Sequence, residues 1–214
     1  MRIIKEPEVR KNEILDAAER LFAARGFEKA TVNDILNATG IAKGTFYYYF
    51  KSKEEVLDAI IRRRIDAGLE KAKAIVANPQ LSPVQKIVAA IMAQQPQSQI
   101  EEEFLPVLHE PVNALFHQKV LTDTVIRLSP VLSDIVKEGI KQGVFSTAYP
   151  EESVEILLTA GLVIFDDAYF PWSREEQAAR IPAFLGAMER ILGAKNGSFS
   201  EFAIAFDQGR KEKV

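Results

Sequence analysis

The sequence predicts an all-α protein, with an N-terminal three-helix unit that contains a helix-turn-helix and a larger helical body after it. Apolar residues recur every three or four positions along most of the chain, which is typical of amphipathic helices. Gly, Pro and short polar clusters interrupt these periodic segments and predict where the helices end. Almost no segment alternates apolar and polar residues as a half-buried strand does.

The composition excludes several classes of protein. The 214 residues can bury a sizeable core, and the lack of cysteine removes disulfides and thiolate metal sites. The N-terminus has no apolar run like that of a signal peptide, and the most apolar segment, residues 156–165, is too short to span a bilayer. We therefore expect a cytoplasmic protein that does not contact the membrane.

The net charge of −3 is unevenly distributed along the chain. Residues 1–65 contain 13 Lys and Arg against 10 Asp and Glu, which gives +3, whereas residues 66–214 contain 14 against 20, which gives −6. A basic head on an acidic body is expected if only the head meets phosphate groups.

The first helix is predicted over residues 8–25, and Gly26 and Phe27 end it. Its shared apolar face consists of Ile14, Leu15, Ala18, Leu21 and Phe22. Thr31 is a good N-cap for the next helix, since Asp34 follows three residues later in a near capping box.

A turn separates two short helical patterns within residues 31–53. Gly40 lies where a helix C-terminus favours a residue that tolerates positive φ, and the length of the turn suits a helix-turn-helix. Phe46 and Phe50 are four residues apart in the second helix and share one face, so we expect them to pack inward on Val32 and Ile35.

The aromatic residues at positions 46–50 cannot all be buried by a helix of two turns. Some of the tyrosines at positions 47–49 must face outward, and a row of aromatic hydroxyls beside lysines suits a nucleic-acid backbone. The alternative is an ordinary surface helix, with one tyrosine in the core, one at its rim and one in solvent.

This order of residues resembles the DNA-binding domain of TetR-type transcriptional regulators. The resemblance covers roughly residues 9–60 and rests on Gly26-Phe27, on Gly40-Ile41 and on the string KGTFYYYFKSKEE at positions 43–55. The family commonly has Leu where this chain has Phe46, and His where it has Tyr49. Tyr49 can still donate a hydrogen bond to phosphate, although its reach and charge differ from those of His.

The resemblance implies DNA contacts for nine residues. These are Thr31, Asn33, Lys43, Gly44, Thr45, Tyr47, Tyr48, Tyr49 and Lys53. Lys43, Thr45 and Tyr47 would face the major groove, where base edges specify sequence. The remaining polar residues would mainly fix the register on phosphates, and Asn33 could also reach a base edge. For each of the nine, the alternative is a solvated surface residue.

Ser52 predicts the N-cap of the next helix, with Glu55 completing a capping box. We predict a helix-turn-helix DNA-binding domain over residues 1–52, a connecting helix over 53–77, and a helical effector-binding and dimerisation domain over 78–214. The helices predicted in that last domain cover about 83–95, 98–107, 109–127, 130–142, 150–170, 174–193 and 198–207.

The last two long helices have wide apolar faces and resemble in position the pair that forms the dimer interface in this family. The interface residues predicted on that basis are Leu158, Gly161, Leu162, Phe184, Leu185 and Met188. A two-fold dimer would match a palindromic double-stranded DNA operator with half-sites about one helical turn apart. The alternative is burial of part of each face within one subunit.

The family usually controls DNA binding through a small molecule held in the body, which implies an apolar or amphipathic effector. The candidate pocket residues supply aromatic and flexible apolar surface with a few polar tips. They are Met92, Phe104, Leu108, His109, Phe116, Phe165, Tyr169 and Trp172. The alternative for each of them is an ordinary residue of a helix-bundle core.

Two other classes of function were weighed. An enzyme is disfavoured because the sequence has no Gly-rich phosphate loop, no serine-nucleophile motif, and no metal-ligand spacing between His109 and His117. We therefore predict no catalytic residue, metal site or cofactor. An ungated DNA-binding protein, with an architectural or partner-recruiting role, would share the same head and remains the alternative to a ligand-responsive repressor.

Overall fold

The computed structural model describes residues 6–96 and 98–200, and every regular element in these ranges is helical. The α-helices are α1 (Pro7–Arg25), α2 (Val32–Thr39), α3 (Lys43–Tyr49), α4 (Lys53–Val76), α5 (Pro83–Met92), α6 (Gln99–Leu108), α7 (Ala114–Lys141), α8 (Pro150–Ile164) and α9 (Arg174–Leu192). A 3₁₀ turn over Pro111–Asn113 joins α6 to α7. The all-α prediction is confirmed.

The chain packs as two units. The first contains the residues up to Ala67 together with Pro96–Val120, and the second contains Gly68–Gln95 together with the residues from Leu121 onward. Helices α4 and α7 each continue from one unit into the other. Helix α6 packs along α1 and so belongs with the N-terminal helices. The functional division at residues 52 and 77 stays a prediction.

The core of the first unit is built from the apolar faces of α1, α2, α3, α4 and α6. The side chains of Phe22, Ile35, Phe46, Ile60 and Phe104 are fully buried in it. Full burial of a side chain of this size stabilises the fold by about 1.5–3 kcal/mol. The short helices α2 and α3 therefore keep their positions through packing, because helices of eight and seven residues are marginal alone.

The arginine run 62–64 is largely used inside the first unit. Glu19 of α1 is only 9 % exposed and accepts hydrogen bonds from Arg63 at 2.8 Å and from Arg64 at 2.7 Å. The Arg64 guanidinium also lies 4.3 Å from the ring centre of Phe104. Arg63 also pairs with Asp16 of α1 at 2.7 Å. These contacts tie α1, α4 and α6 together, and the two carboxylates balance the charges of Arg63 and Arg64.

The second unit is formed by α5, the second half of α7, α8 and α9. Lys86 of α5 is buried and donates to Glu138 of α7 at 2.7 Å. Close to the end of the described chain, Phe199 is fully buried and stacks on Phe145 with ring centroids 6.4 Å apart. Its backbone N–H donates to the carboxylate of Glu189 at 3.1 Å.

The prediction of two helices over 109–127 and 130–142 is wrong, because α7 is one helix that contains Pro130. A proline inside a helix removes one N–H from the hydrogen-bond ladder and crowds the carbonyl four residues earlier, at a cost of about 3 kcal/mol. Leu128 and Leu132 on either side of it are both buried on one face, which holds the helix together.

Two other helices are shorter than predicted. The predicted helix over 150–170 ends at Ile164, since Asp166 accepts the backbone N–H of Ala168 at 2.8 Å and folds the chain into a turn. The helix predicted over 83–95 ends at Met92. The one predicted over 198–207 lies mostly outside the described residues.

Candidate nucleic-acid interface

The start of α2 is held by Thr31 and Asp34, as the sequence predicts. The Thr31 hydroxyl accepts the N–H of Asp34 at 3.2 Å, and the Asp34 carboxylate accepts the N–H of Thr31 at 2.9 Å. Hydrogen bonds from Thr31, and then the nearby Arg25 guanidinium, lower the pKa of Asp34 below its ordinary value. The Thr31 hydroxyl therefore already has a protein partner.

The turn between α2 and α3 uses Gly40 in the left-handed conformation, with φ 65° and ψ 21°. Its N–H donates to Leu36 O at 2.9 Å, and the Thr39 hydroxyl donates to Ile35 O at 2.7 Å. Glycine is favoured at this position because the left-handed region carries a steric cost for residues that have a Cβ.

The inner face of α3 is apolar and buried. Phe46 is fully buried and Phe50 is 3 % exposed, and their ring centroids lie 6.1 Å apart. Both belong to the same core cluster as Ile35, with Val32 and Ile41 packed against it. The predicted inward orientation of the two phenylalanines is confirmed.

The outer face of α3 carries a lysine and exposed tyrosines. Tyr47 is 47 % exposed and Tyr48 is 79 % exposed, whereas Tyr49 is half-buried with its ring 4.9 Å from that of Tyr48. Lys43 is exposed, and its ammonium group lies 5.9 Å from the centre of the Tyr47 ring. This face presents one positive charge and two exposed tyrosines, while Tyr49 packs partly against the core.

The other predicted contact residues flank this face. Gly44 is exposed, and a Cβ built on it would meet no atom within 4 Å. Thr45 is half-buried on α3, and Asn33 is exposed on α2. The fold does not require glycine at position 44, because its φ is not positive.

Lys53 has a different environment from the one expected of a DNA-backbone contact. Its ammonium group donates to Phe27 O at 2.8 Å, to Glu28 O at 3.1 Å and to Ala30 O at 3.2 Å. It also lies 4.4 Å from the centre of the Phe27 ring. An ammonium has three N–H donors, so a phosphate contact would require Lys53 to release a carbonyl of its own chain.

The predicted effector-pocket residues are divided between the two units. In the first unit, Phe104 and Leu108 are buried in the core and Phe116 packs against it. His109 is exposed, and its ring lies 5.0 Å from that of His117. Sequence spacing did not predict this pairing, because it depends on the 3₁₀ turn that joins α6 to α7.

The other four predicted pocket residues belong to the second unit. Met92 is half-buried at the end of α5, and Tyr169 is 45 % exposed. Phe165 makes an edge contact with Phe184 at 5.5 Å between ring centroids. Trp172 lies against the guanidinium of Arg180 at 3.6 Å, and its buried indole N–H has no hydrogen-bond partner.

The second unit contains an apolar cavity of about 40 Å³. Its lining comes from α5, α7, α8 and α9 and consists of Ile87, Ile91, Leu132, Val154, Leu157, Leu158, Phe184, Met188 and Leu192. None of the eight predicted pocket residues lines it. Sequence periodicity places such residues on inward faces but does not indicate where packing leaves a gap.

The six residues predicted at a dimer interface have two different degrees of exposure. Leu185 and Met188 are 6 % and 3 % exposed, so most of their surface is covered within one subunit. The other four are half-buried on α8 and α9, namely Leu158, Gly161, Leu162 and Phe184. A Cβ on Gly161 would lie 3.1 Å from the Phe184 ring, so glycine permits the close approach of the two helices.

Sequence reasoning missed the contact that Glu110, at the α6–α7 junction, makes with the loop between α1 and α2. Its two carboxylate oxygens each accept the backbone N–H of Phe27 at 3.3 Å, across 83 positions of sequence. No periodicity or motif reports a contact between residues so far apart.

In the described parts of the chain, no helix is long and apolar enough to cross a bilayer.

Two families of protein domain match the chain. Residues 14–60 match the family described as bacterial regulatory proteins, tetR family. Residues 86–187 match the family described as tetracyclin repressor-like, C-terminal domain. The first match contains most of α1 together with α2, α3 and the start of α4, and the second runs from α5 into α9.

Individual relatives agree with these matches. The HTH-type transcriptional repressor KstR2 of Rhodococcus jostii is 45 % identical over 69 residues, which is 32 % of this chain and 34 % of the relative. The chain thus spans about a third of the length of that relative. KstR2 of Mycobacterium tuberculosis is 26 % identical over 147 residues, which is 67 % of this chain and 73 % of the relative.

A solved structure extends the likeness across the fold. SmeT, the repressor of the Stenotrophomonas maltophilia multidrug efflux pump SmeDEF, is 20 % identical and superposes with a TM-score of 0.62 over 88 % of this chain and 92 % of its own. SmeT has also been solved in complex with triclosan. At this identity the likeness concerns the fold.

Proposed function

Because the chain belongs to the TetR family of bacterial regulatory proteins, we propose that it is a homodimeric, ligand-responsive transcriptional repressor that binds a palindromic operator in double-stranded DNA. The main support for this proposal is that α3 has a buried apolar face and an exposed face with a lysine and tyrosines. Its phenylalanines are buried, while Lys43, Tyr47 and Tyr48 face outward from the fold. The proposal places the protein in the cytoplasm and assigns it binding without a catalytic step.

The proposed DNA contacts divide by role. Lys43 reads a base in the major groove, where a lysine can donate to guanine O6 or N7. Gly44, Thr45 and Tyr47 lie at the same groove, and Asn33, Tyr48 and Tyr49 bind the flanking backbone. Thr31 contributes a phosphate contact only if it releases Asp34, because its hydroxyl and its backbone N–H both already donate to that carboxylate and a phosphate only accepts.

The proposed effector is a small apolar or amphipathic molecule that binds in the second unit. The apolar cavity supports this class of ligand, because it is lined by nine apolar side chains. Ligand pockets usually enclose about 300–1,000 Å³, so an effector would have to displace Phe184 or Met188 to enter fully. Such displacement gives the ligand different affinities for two conformations, which is what a ligand-controlled repressor requires.

The operator is found by selecting genomic DNA fragments on the purified dimer. Lys43→Ala should then weaken operator binding by about 1–3 kcal/mol and relax base preference at one position of each half-site. Lys29→Ala is a matched control, because it removes the same charge from an exposed residue outside α3. Equal losses on operator and random DNA for Lys43→Ala would contradict the base-reading role.

The effector is tested separately with a panel of small apolar and amphipathic compounds. A compound that releases the operator should also raise the melting temperature of the free protein, since it binds the folded state. Leu132→Trp, which fills the cavity, should abolish both effects. An operator-binding protein that no compound in such a panel releases would favour the ungated alternative.

A further inference from the structure

The loop between α1 and α2 is held by its backbone from two sides, at a single residue. The N–H of Phe27 donates to the carboxylate of Glu110 at 3.3 Å. The carbonyl of the same residue accepts the ammonium of Lys53 at 2.8 Å. The carboxylate of Glu110 therefore fixes the backbone N–H of Phe27, and the ammonium of Lys53 fixes its carbonyl.

The approach of Glu110 to this loop depends on Gly26. A Cβ at that position would lie 2.8 Å from the nearer oxygen of Glu110, and the backbone there has φ +79°. Both the conformation and the space demand glycine. The Gly26-Phe27 pair in the sequence thus serves a contact with a residue more than eighty positions away.

Glu110 is itself held in place. Asn113 is fully buried, and its amide donates to Val107 O at 2.7 Å and reaches the Glu110 carboxylate at 3.5 Å. The backbone N–H of Asn113 donates to Glu110 O at 2.8 Å. Below the loop, the Phe27 ring contacts those of Phe22 at 5.2 Å and Phe116 at 6.5 Å. The carboxylate is therefore presented to the loop by a rigid support.

We propose that Glu110 is a positioning residue for DNA binding, which sets the orientation of α2 and α3 by fixing the loop that leads into them. This inference rests on the proposed function. Phe27 lies four residues before Thr31, the N-cap of α2, so a shift of the loop moves the start of that helix. Glu110 lies just before α7, which continues into the second unit.

A dimer on a palindrome gives this role a measurable signature. If α2 and α3 of each subunit are held in one orientation before DNA binds, the dimer fits only one half-site spacing. Binding at that spacing then costs no further conformational entropy for ordering these helices. Freeing the loop should weaken binding at the correct spacing and weaken it less at a wrong one. Loss of stability alone would lower both affinities by the same factor.

The experiment measures affinities for the selected operator and for two derivatives with the half-site spacing changed by one base pair in either direction. Glu110→Ala should weaken binding to the operator by about 5–50-fold, within the usual range for coupled sites. The ratio of the affinity at the correct spacing to the affinity at a changed spacing should fall by at least about five-fold. Glu103→Ala is the matched control, because it removes an exposed carboxylate from α6 that accepts a hydrogen bond from Gln99 at 2.7 Å.

Two further variants test whether the length of the Glu110 side chain or its negative charge is required. Glu110→Gln keeps an acceptor oxygen at the same distance and should retain most of the spacing preference. Glu110→Asp keeps the charge but falls short of Phe27, and should behave like Glu110→Ala. This pair carries the test if Glu110→Ala fails to fold.

An unchanged ratio of affinities in Glu110→Ala, or in Glu110→Asp, would overturn the inference and leave the proposed function standing. Failure of the wild-type protein to retain any DNA would overturn the proposed function and this inference with it.

Discussion

Gly44 is a residue whose identity the fold does not require but DNA binding can explain. It lies in the first turn of α3, and neither its backbone nor its surroundings require glycine. Glycine in a helix costs about 0.5–1 kcal/mol relative to alanine. Its presence is explained if a DNA backbone or base edge approaches this point closely.

Gly44→Ala should therefore raise the free energy of unfolding by about 0.5–1 kcal/mol and weaken operator binding at the same time. Urea unfolding and fluorescence anisotropy with labelled operator measure the two effects. Gly186→Ala in α9 is the control, because a Cβ there meets only the end of Arg190 at 4.0 Å. It should gain stability and keep its operator affinity. Unchanged DNA binding in Gly44→Ala would argue against close approach at α3.

Asp34 gives the head a stability that depends on pH. Hydrogen bonds from Thr31, and then the charge of Arg25, lower the pKa of its carboxyl in the folded state. A group with a lowered folded pKa stabilises the protein above its unfolded pKa, which for Asp is about 3.9. That contribution is lost as the pH falls through the folded value.

Asp34→Asn should therefore be less stable than the wild type at pH 7, and the difference should shrink below about pH 4. Urea unfolding of both proteins at pH 7, pH 5 and pH 3 gives the comparison. A difference that stays constant down to pH 3 would show that the lost charge is not the cause.

At the scale of elements, α5 and α7 are joined by an ion pair of unequal exposure. Lys86 is 4 % exposed, whereas the side chain of Glu138 retains 34 % of its accessible surface. Removing the carboxylate leaves a buried ammonium without its partner, which costs far more than replacing a buried lysine with an apolar residue. The two partners are therefore not equivalent.

Glu138→Ala should lower the free energy of unfolding by about 2–4 kcal/mol, after allowance for the partial exposure of the pair. Lys86→Met, which has similar volume and no charge, should change it by less than about 1 kcal/mol. Chemical denaturation of both variants tests the contrast. Equal losses would mean that the bond itself, and not the stranded charge, determines the cost.

The elements also show how far sequence reasoning reached. The ends of α2 could be predicted because Thr31 and Gly40 act through neighbours within four residues. The inward face of α3 could be predicted because Phe46 and Phe50 share one side of the helix. The continuity of α7 through Pro130 could not, since it depends on tertiary packing of Leu128 and Leu132. The partners of Lys53 could not be predicted for the same reason, because they are carbonyls on a loop more than twenty positions earlier.

At the scale of the whole molecule, the proposed dimer depends on the half-buried surface of α8 and α9. Leu162→Glu should convert the dimer to a monomer, because the new carboxylate would lose its hydration at an apolar contact. Light scattering after gel filtration measures the mass, and anisotropy measures operator binding, which should fall together with dimerisation. Tyr149→Glu adds the same charge to a residue that is 68 % exposed, just before α8, and should remain dimeric. A dimeric Leu162→Glu would place the subunit interface elsewhere.

The packing of α6 along α1 has a consequence for chimeric regulators. Joining this head to a foreign sensor at residue 52 or 67 would strip away Phe104, Val107 and Leu108, whose side chains fill the same core as Phe22. The graft would expose that apolar surface, and a splice at residue 67 would leave the Arg64 guanidinium without the Phe104 ring that it lies against. A biosensor engineer should therefore transplant residues 96–120 together with the N-terminal helices, and make the splice where α4 and α7 leave the first unit.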